Sequence, residues 1–124
     1  MLTPEQVAQV VEVAMDLARE GRTGELVEFL DHGLPIDVQD GHGNTLLMLA
    51  AYHGRAETVR TLVERGADVD LRNGRDQSVV AGALFKGEDE VTRILVGAGA
   101  DLDAGTPPAR EAARMFGRAH LLPE

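Results

Sequence analysis

A short motif that begins with glycine recurs in this chain with a fixed spacing of 33 residues. A second series of glycines and a series of apolar pairs recur in the same phase. A fixed period of about 20–50 residues is typical of a fold built from stacked units, and it constrains the fold more than any single motif does. The motif occupies residues 33–37, 66–70 and 99–103, the second glycine series is Gly21, Gly54 and Gly87, and the apolar pairs are Phe29-Leu30, Leu62-Val63 and Leu95-Val96.

Each repeat contains the sequence signals of two short helices followed by a polar turn. An apolar run over residues 45–51 follows a residue suited to cap a helix, either Asn44 or Thr45. Gly54 is expected to end this helix, because the left-handed conformation costs little only for glycine. The second helix is predicted over about residues 57–65, where apolar side chains recur at spacings of three and four. Neither helix can bury its apolar face alone, so neighbouring units are expected to stack.

The unit as a whole resembles the ankyrin repeat. Its length, the sequence Gly-Ala-Asp-Val-Asp, the sequence Leu-Ala-Ala and the paired glycines carry the resemblance, which covers about residues 15–118. The resemblance implies an all-α solenoid of about four helix-turn-helix units, including caps, joined by hairpin-like loops in a single domain. The expected parts are an N-terminal cap unit at 1–39, repeats at 40–72 and 73–105, and a truncated C-terminal cap unit at 106–124.

The register of the last unit is open at the level of sequence. If Gly117 is equivalent to Gly54, this unit is shorter than the others by about three residues. If Thr106 and Pro107 are instead the Thr-Pro pair that begins a repeat of the family, the boundaries shift. The sequence does not decide between these two registers.

The first residues predict a helix longer than the family's first helix. Thr3 is a suitable cap, Pro4 fits the first helical position and Gln6 completes a capping box. An apolar stripe follows, and we expect it to seal the end of the stack. The alternative is that Val7 and Val11 dock a partner. The stripe consists of Val7, Val10, Val11, Ala14 and Ala18.

Composition excludes several functional classes. With 12 basic and 21 acidic residues the net charge is −9, which opposes binding to nucleic acids and anionic membranes. No apolar run reaches about 18 residues and the start has no secretory pattern, so we expect a cytoplasmic protein. Cysteine is absent, which excludes disulfides and thiolate metal sites. Eleven of the twelve basic residues are arginine, as in proteins of high-GC bacteria.

No arrangement of reactive residues predicts catalysis. The stretch 37–44 is faintly similar to a calcium loop, but its acidic residues do not alternate and its twelfth position is Met48. Ser78 is the only serine, and there is no glycine-rich phosphate loop. We therefore expect no enzyme, no cofactor and no metal. Four histidines, none of which forms a pair four residues apart, are His32, His42, His53 and His120.

The resemblance also implies a binding surface, because ankyrin repeats bind partners with their loop tips and the exposed side of their first helices. Three of the four aromatic residues, Tyr52, Phe85 and Phe116, fall at such positions. Large aromatic side chains are enriched at binding hot spots. The alternative is that these rings are partly buried against the helix of the next unit. The predicted partner-binding residues are Arg19, His42, Asn44, Tyr52, His53, Arg75, Gln77, Phe85, Lys86, Met115 and Phe116.

These observations predict a monomeric, non-catalytic module that binds another protein through a concave face and loop tips. The alternative is a dedicated inhibitor, or an immunity- or antitoxin-type protein, that blocks the basic site of one enzyme with its acidic surface. Arg72, Arg75 and Lys86 are expected to lie close together in a regular stack. Such a basic and aromatic patch would favour a partner that presents carboxylates around an apolar anchor.

Overall fold

The computed structural model describes residues 1–123, which form seven α-helices and one short 3-10 helix. An isolated bridge between Gln39 and Thr45 is the nearest approach to a strand within these residues. The prediction of an all-α fold is therefore confirmed. The helices are α1 (Pro4–Glu20), α2 (Thr23–Asp31), α3 (Leu46–Tyr52), α4 (Ala56–Glu64), α5 (Val79–Lys86), α6 (Asp89–Gly97), α7 (Ala109–Met115) and the 3-10 helix (Ala119–Leu121).

The helices form two layers that run the length of the stack. In the inner layer α1 contacts α3, α3 contacts α5, and α5 contacts α7. In the outer layer α2, α4, α6 and the 3-10 helix contact each other in the same order. Each inner helix also packs on the outer helix that follows it. Extensive contact between neighbours alone is the defining property of a solenoid.

Side chains cap the first three inner helices at their amino ends. Thr3, Thr45 and Ser78 each accept a hydrogen bond from the backbone N–H three residues later. The Gln6 side chain returns a bond to the backbone of Thr3, which completes the predicted capping box. Of the two candidates for the cap of α3, the structure selects Thr45 and not Asn44. The caps of α3 and α5 lie one period of 33 residues apart, whereas Thr3 begins the longer helix α1.

The second glycine series is required by backbone conformation. Gly21, Gly54 and Gly87 have φ values of 71°, 71° and 73°, in the left-handed region that favours glycine. A Cβ atom on Gly54 would also lie 2.5 Å from a carboxylate oxygen of Glu88 in the next unit. The glycine therefore ends the inner helix and lets the next unit approach.

The last unit adopts the register in which Gly117 ends its inner helix. Gly117 has a φ of 70° and follows the N-cap Pro108 by nine residues, as Gly87 follows the cap Ser78. Helix α7 therefore keeps the regular length from cap to glycine, and the missing residues fall in the loop before it. Thr106 lies in that loop and does not begin a helix.

The acidic residues of the Gly-Ala-Asp-Val-Asp motif connect consecutive units. The backbone N–H of Asp68 donates to Asp37 Oδ1 at 2.9 Å, and the N–H of Asp101 donates to Asp70 Oδ1 at 2.7 Å. Within the motif the Asp70 N–H donates to Asp68 Oδ1 at 2.9 Å. One carboxylate of the motif therefore accepts a hydrogen bond from a backbone N–H of the next unit. This bond accounts for the regular spacing of the motif. Sequence analysis found the repeat but not this role.

The apolar core lies between the two layers, and the first unit covers it least. Leu62 and Leu95 are 1% and 0% exposed. The prediction that Phe29 is an equivalent core residue is corrected, because Phe29 is only half-buried. Its helix α2 has an outer-layer neighbour, α4, on one side alone. A core position in the repeat therefore becomes a partly exposed one at the end of the stack.

Helix α1 has 17 residues, whereas its counterpart α3 has seven, so its first half extends beyond the inner layer. Val11, Ala14 and Ala18 are buried as the stripe predicts. Val7 is 46% exposed and, with Val10, lines a shallow depression beside the loop after α2. The stripe seals the stack only from Val11 onwards.

We predict that Leu62→Ala lowers the free energy of unfolding by about 2–5 kcal/mol, as truncation of a fully buried leucine does. Urea denaturation followed by circular dichroism measures this change. Glu64→Ala, at an exposed position of the same helix, is the control and should change stability by less than about 0.5 kcal/mol. A loss below about 0.5 kcal/mol for Leu62→Ala would show that the core is not built on this series.

Candidate partner-binding groove

A concave groove of about 1080 Å³ runs between the inner helices and the tips of the loops. Side chains of α3, α5 and α7 form its floor, and residues 41–44, 73–75, 77 and 106–107 contribute its rim. We refer to this surface as the groove. Nine of the eleven predicted partner-binding residues line it, namely His42, Asn44, Tyr52, His53, Arg75, Gln77, Phe85, Met115 and Phe116.

Two predicted residues, Arg19 and Lys86, do not line the groove. Arg19 forms an ion pair with Asp16 on α1, and its backbone carbonyl accepts a hydrogen bond from Arg55 Nε at 2.8 Å. Lys86 Nζ lies 4.9 Å from the centroid of the Tyr52 ring, an arrangement that favours a cation–π contact. Lys86 therefore lies beside the groove, whereas Arg19 is held by its bonds to Asp16 and Arg55 at the first unit.

The three aromatic residues singled out from the sequence form one row along the floor. The rings of Tyr52 and Phe85 are stacked, with centroids 6.5 Å apart and planes inclined by 11°. Phe85 and Phe116 meet edge to face, with centroids 5.4 Å apart. Tyr52 is 39% exposed and Phe85 is 59% exposed, whereas Phe116 is half-buried. The alternative of partial burial against the next unit thus applies to Tyr52, which stacks on Phe85, whereas Phe116 belongs to the last unit and contacts Phe85 of the preceding one.

Asn73 orders the rim, and the sequence analysis did not identify it. Its Oδ1 accepts hydrogen bonds from the backbone N–H groups of Arg75 and Gln77. Its Nδ2 donates to Asn44 Oδ1 at 3.0 Å and to Gln77 Oε1 at 2.8 Å. Asp40, one period earlier, accepts two backbone donors in the same way, and this equivalence was the available signal. The side chains of Asn44 and Gln77 therefore also stabilise the conformation of the loops.

Hydrogen bonds join the three loop tips into a continuous rim. The Gly74 N–H donates to the His42 carbonyl at 2.9 Å, which links the first tip to the second. The Thr106 N–H donates to the Asp76 carbonyl at 2.9 Å, and its hydroxyl donates to the Asp76 carboxylate at 2.6 Å. The rim thus holds its exposed side chains on a fixed backbone.

Among the described residues no acidic side chain lines the groove, although the chain has 21 of them, and Asp76 on the rim is paired with Arg72. Arg75 is the one formally charged residue in its lining and makes no salt bridge with any residue of the described part of the chain. Arg72 instead pairs with Asp76 at 3.0 Å, so the predicted basic patch is smaller than expected. The groove is therefore neutral to weakly basic on an otherwise acidic protein.

His53, at the end of α3, lies edge-on to the ring of Tyr52, with centroids 5.8 Å apart. Partial burial, followed by the cations of Arg19, Arg55 and Lys86, lowers the pKa of His53 below its ordinary value of 6.5. The imidazole is consequently neutral at pH 7. It presents a hydrogen-bonding ring to the groove and not a cation.

Among residues 1–123, no group of three or more histidine, aspartate or glutamate side chains is arranged to hold a metal ion. Within the same residues, none of the helices combines the length and apolar character that crossing a membrane requires.

A family model for ankyrin repeats, in three copies, matches residues 14–106. The chain belongs to the ankyrin-repeat family. It is also 44% identical over 55 residues to an ankyrin repeat protein of Pseudomonas aeruginosa. That alignment covers 44% of this chain and 32% of the relative, so the matched segment spans about a third of the relative's length. The resemblance predicted from the 33-residue repeat is thereby confirmed, and ankyrin repeats are in general modules for protein–protein interaction.

We predict that Lys86→Gln raises the pKa of His53 towards its ordinary value, because one of the cations that oppose the imidazolium is removed. Burial is the largest cause and persists, so the pKa should remain lowered. Titration of the His53 ring protons by NMR measures the change, and Lys86→Arg is the control that keeps the charge. An unchanged or lower pKa in Lys86→Gln would contradict the placement of Lys86 beside Tyr52.

The same pKa fixes the sign of a pH effect on stability. A histidine whose pKa is lower in the folded state binds fewer protons there than in the unfolded chain. The contribution of His53 to stability is therefore complete above the unfolded pKa of about 6.5 and is lost as the pH falls towards the folded pKa.

Proposed function

We propose that this chain is a non-catalytic module that binds a partner protein through the groove and its loop tips. The row of exposed aromatic rings carries the proposal. An exposed ring keeps apolar surface in water, and that surface is removed from water when a partner covers it. Tyr52 and Phe85 are the central members of this row.

The rigidity of the rim supports the same proposal. Ordering flexible loops upon binding costs conformational entropy, and a preformed surface avoids much of this cost. The hydrogen bonds of Asn73 and Asp76 hold the rim before any partner arrives. Arg75, which has no salt-bridge partner among residues 1–123, stands on this fixed rim, where it can guide the approach of a carboxylate.

The alternative of an inhibitor that blocks a basic site has less support. Such an inhibitor requires carboxylates on its binding surface. The lining of the groove contains none, and the acidic residues of the repeat motif are used in bonds between units. A general interaction module is therefore the function that we propose.

Several narrower features belong to this proposal. We propose a single domain divided into units at 1–39, 40–72, 73–105 and 106–124. We further propose a bacterial protein that works as a monomer in the cytoplasm, without cofactor, metal or nucleic acid. The excess of arginine over lysine and the similarity to a Pseudomonas protein support a bacterial source. The net charge of −9 supports the monomer, because like charges oppose self-association.

We predict that the double change Tyr52→Ala plus Phe85→Ala weakens partner binding by at least about 30-fold, because it removes the centre of the aromatic row. The melting temperature should change little, since both rings are exposed. The partner is first isolated with the unaltered chain, and its affinity for each variant is then measured by calorimetry.

Arg93→Ala, at an exposed position of the outer helix α6, is the control and should leave the affinity unchanged. Unchanged binding in the double variant would place the site on another surface. Lost binding together with a collapsed melting curve would show that the rings stabilise the fold and would also contradict the proposal.

We predict a monomer of 13.3 kDa by light scattering coupled to gel filtration. The acidic residues of the described chain lie outside the lining of the groove. Their mutual repulsion leaves little surface for self-association. A dimer would contradict this prediction. Val7→Ser would then test the exposed start of α1 as the interface, with Glu64→Ala as the control.

A further inference from the structure

A glycine in the middle of α5 has no evident role in the fold. Gly82 is the fourth of eight residues in this helix and lines the floor of the groove. Glycine in a helix interior is less favourable than alanine, because it loses more conformational freedom when it folds. Leu49 occupies the equivalent position in α3, one period earlier, and is 8% exposed. The repeat therefore accepts a large side chain at this point.

Neither backbone conformation nor space requires a glycine at position 82. Its φ lies outside the positive range in which glycine is favoured. A Cβ atom there would meet only Tyr52 Cδ1, at 3.6 Å, which is an ordinary van der Waals distance. Leu84, which is fully buried, is two residues further and thus faces the opposite side of the helix. Gly82 consequently does not make room for Leu84.

The missing side chain leaves a notch in the floor of the groove. Phe85 lies three residues after Gly82 on the same face of α5, and Tyr52 approaches from α3. Ala112 is at the matching position of α7, so the floor stays shallow in that direction. We use the term notch for the space above Gly82 beside the rings of Tyr52 and Phe85, which stack on each other and leave no room for a side chain between them. Its wall on this side is aromatic, so it suits an apolar side chain.

The charges around the notch restrict what else the partner presents. In the part of the chain that the structure describes, no acidic side chain lines the groove, Asp76 on the rim is paired with Arg72, and Arg75 has no salt-bridge partner. Lys86 adds a second cation beside Tyr52. The remaining surface of a chain with 21 acidic residues repels other acidic segments, so the groove is where carboxylates are tolerated best.

We propose that Gly82 is a specificity-determining residue whose notch receives one large apolar side chain from a contiguous, acidic segment of the partner. The proposal rests on the proposed function, since it names the ligand of the same groove. A position that keeps a less stabilising residue, although neither backbone conformation nor space requires it, is typical of a functional site.

The test uses a library of random 16-residue peptides displayed on phage and selected on the immobilised full chain. Peptides that bind are then synthesised, and their affinities for the unaltered chain and its variants are measured by fluorescence polarisation. We expect the selected peptides to share a large apolar residue flanked by Asp or Glu. Gly82→Leu fills the notch as Leu49 does in α3 and should weaken binding at least about tenfold.

Gly82→Ala separates a role in binding from a role in folding. It should raise the melting temperature by about 3–5 °C, because it removes a helix-interior glycine, while weakening peptide binding. Gly97→Ala, at the exposed end of α6, is the control and should leave peptide affinity unchanged. A lower melting temperature for Gly82→Ala would overturn the proposal, because it would show that the fold needs this glycine.

The remaining outcomes distinguish the notch from the proposed function. Peptides that lose binding to Phe85→Ala but keep it with Gly82→Leu would overturn the notch and leave the groove as the binding surface. Peptides that bind both variants as well as the unaltered chain would overturn the proposed function too. Selection of Lys- or Arg-rich peptides, or of none, would overturn the proposal, because its ligand is a contiguous acidic segment.

Discussion

Burial of apolar faces between consecutive units holds this molecule together. The inner helices α3, α5 and α7 have seven or eight residues, and isolated helices below about 12–15 residues are marginal in water. Each one becomes stable only when it packs on its neighbours, as the fully buried Leu46, Leu84 and Ala113 show. Stacking explains the period of 33 residues, because each unit must present the same apolar face to the next.

The same stacking produces the groove. Positions one period apart lie side by side, so similar side chains at equivalent positions form a row across the molecule. Tyr52 and Phe85 stack for this reason. The polar bonds obey the same period, since the carboxylates of Asp37 and Asp70 each accept a backbone donor of the following unit. A surface assembled in this way is rigid before a partner binds, which lowers the entropic cost of recognition.

Sequence patterns predicted the fold, the caps and the place of the groove, because each of these follows from the repeat. Sequence patterns were less successful at residues that lack a neighbouring unit or that make a contact with no counterpart in the other repeats. Phe29 belongs to the apolar series but lies at the open end of the stack. Arg72 was assigned to a basic patch but pairs with Asp76, and the bridging role of Asn73 depends on two loops at once. The pairing of Arg72 with Asp76 depends on the conformation of a loop, and the bond from Asn73 to Asn44 depends on how two loops meet, so both needed coordinates.

Site-specific photo-crosslinking in cells tests most directly whether the groove is the surface that meets a partner. A benzophenone side chain replaces Phe85 in one variant and Arg93, on the outer helix α6, in a second variant. Both positions are exposed, so they differ mainly in the face of the stack on which they lie. The proposed function predicts a discrete adduct with another protein from position 85 and none from position 93. An adduct from position 93 alone would contradict it.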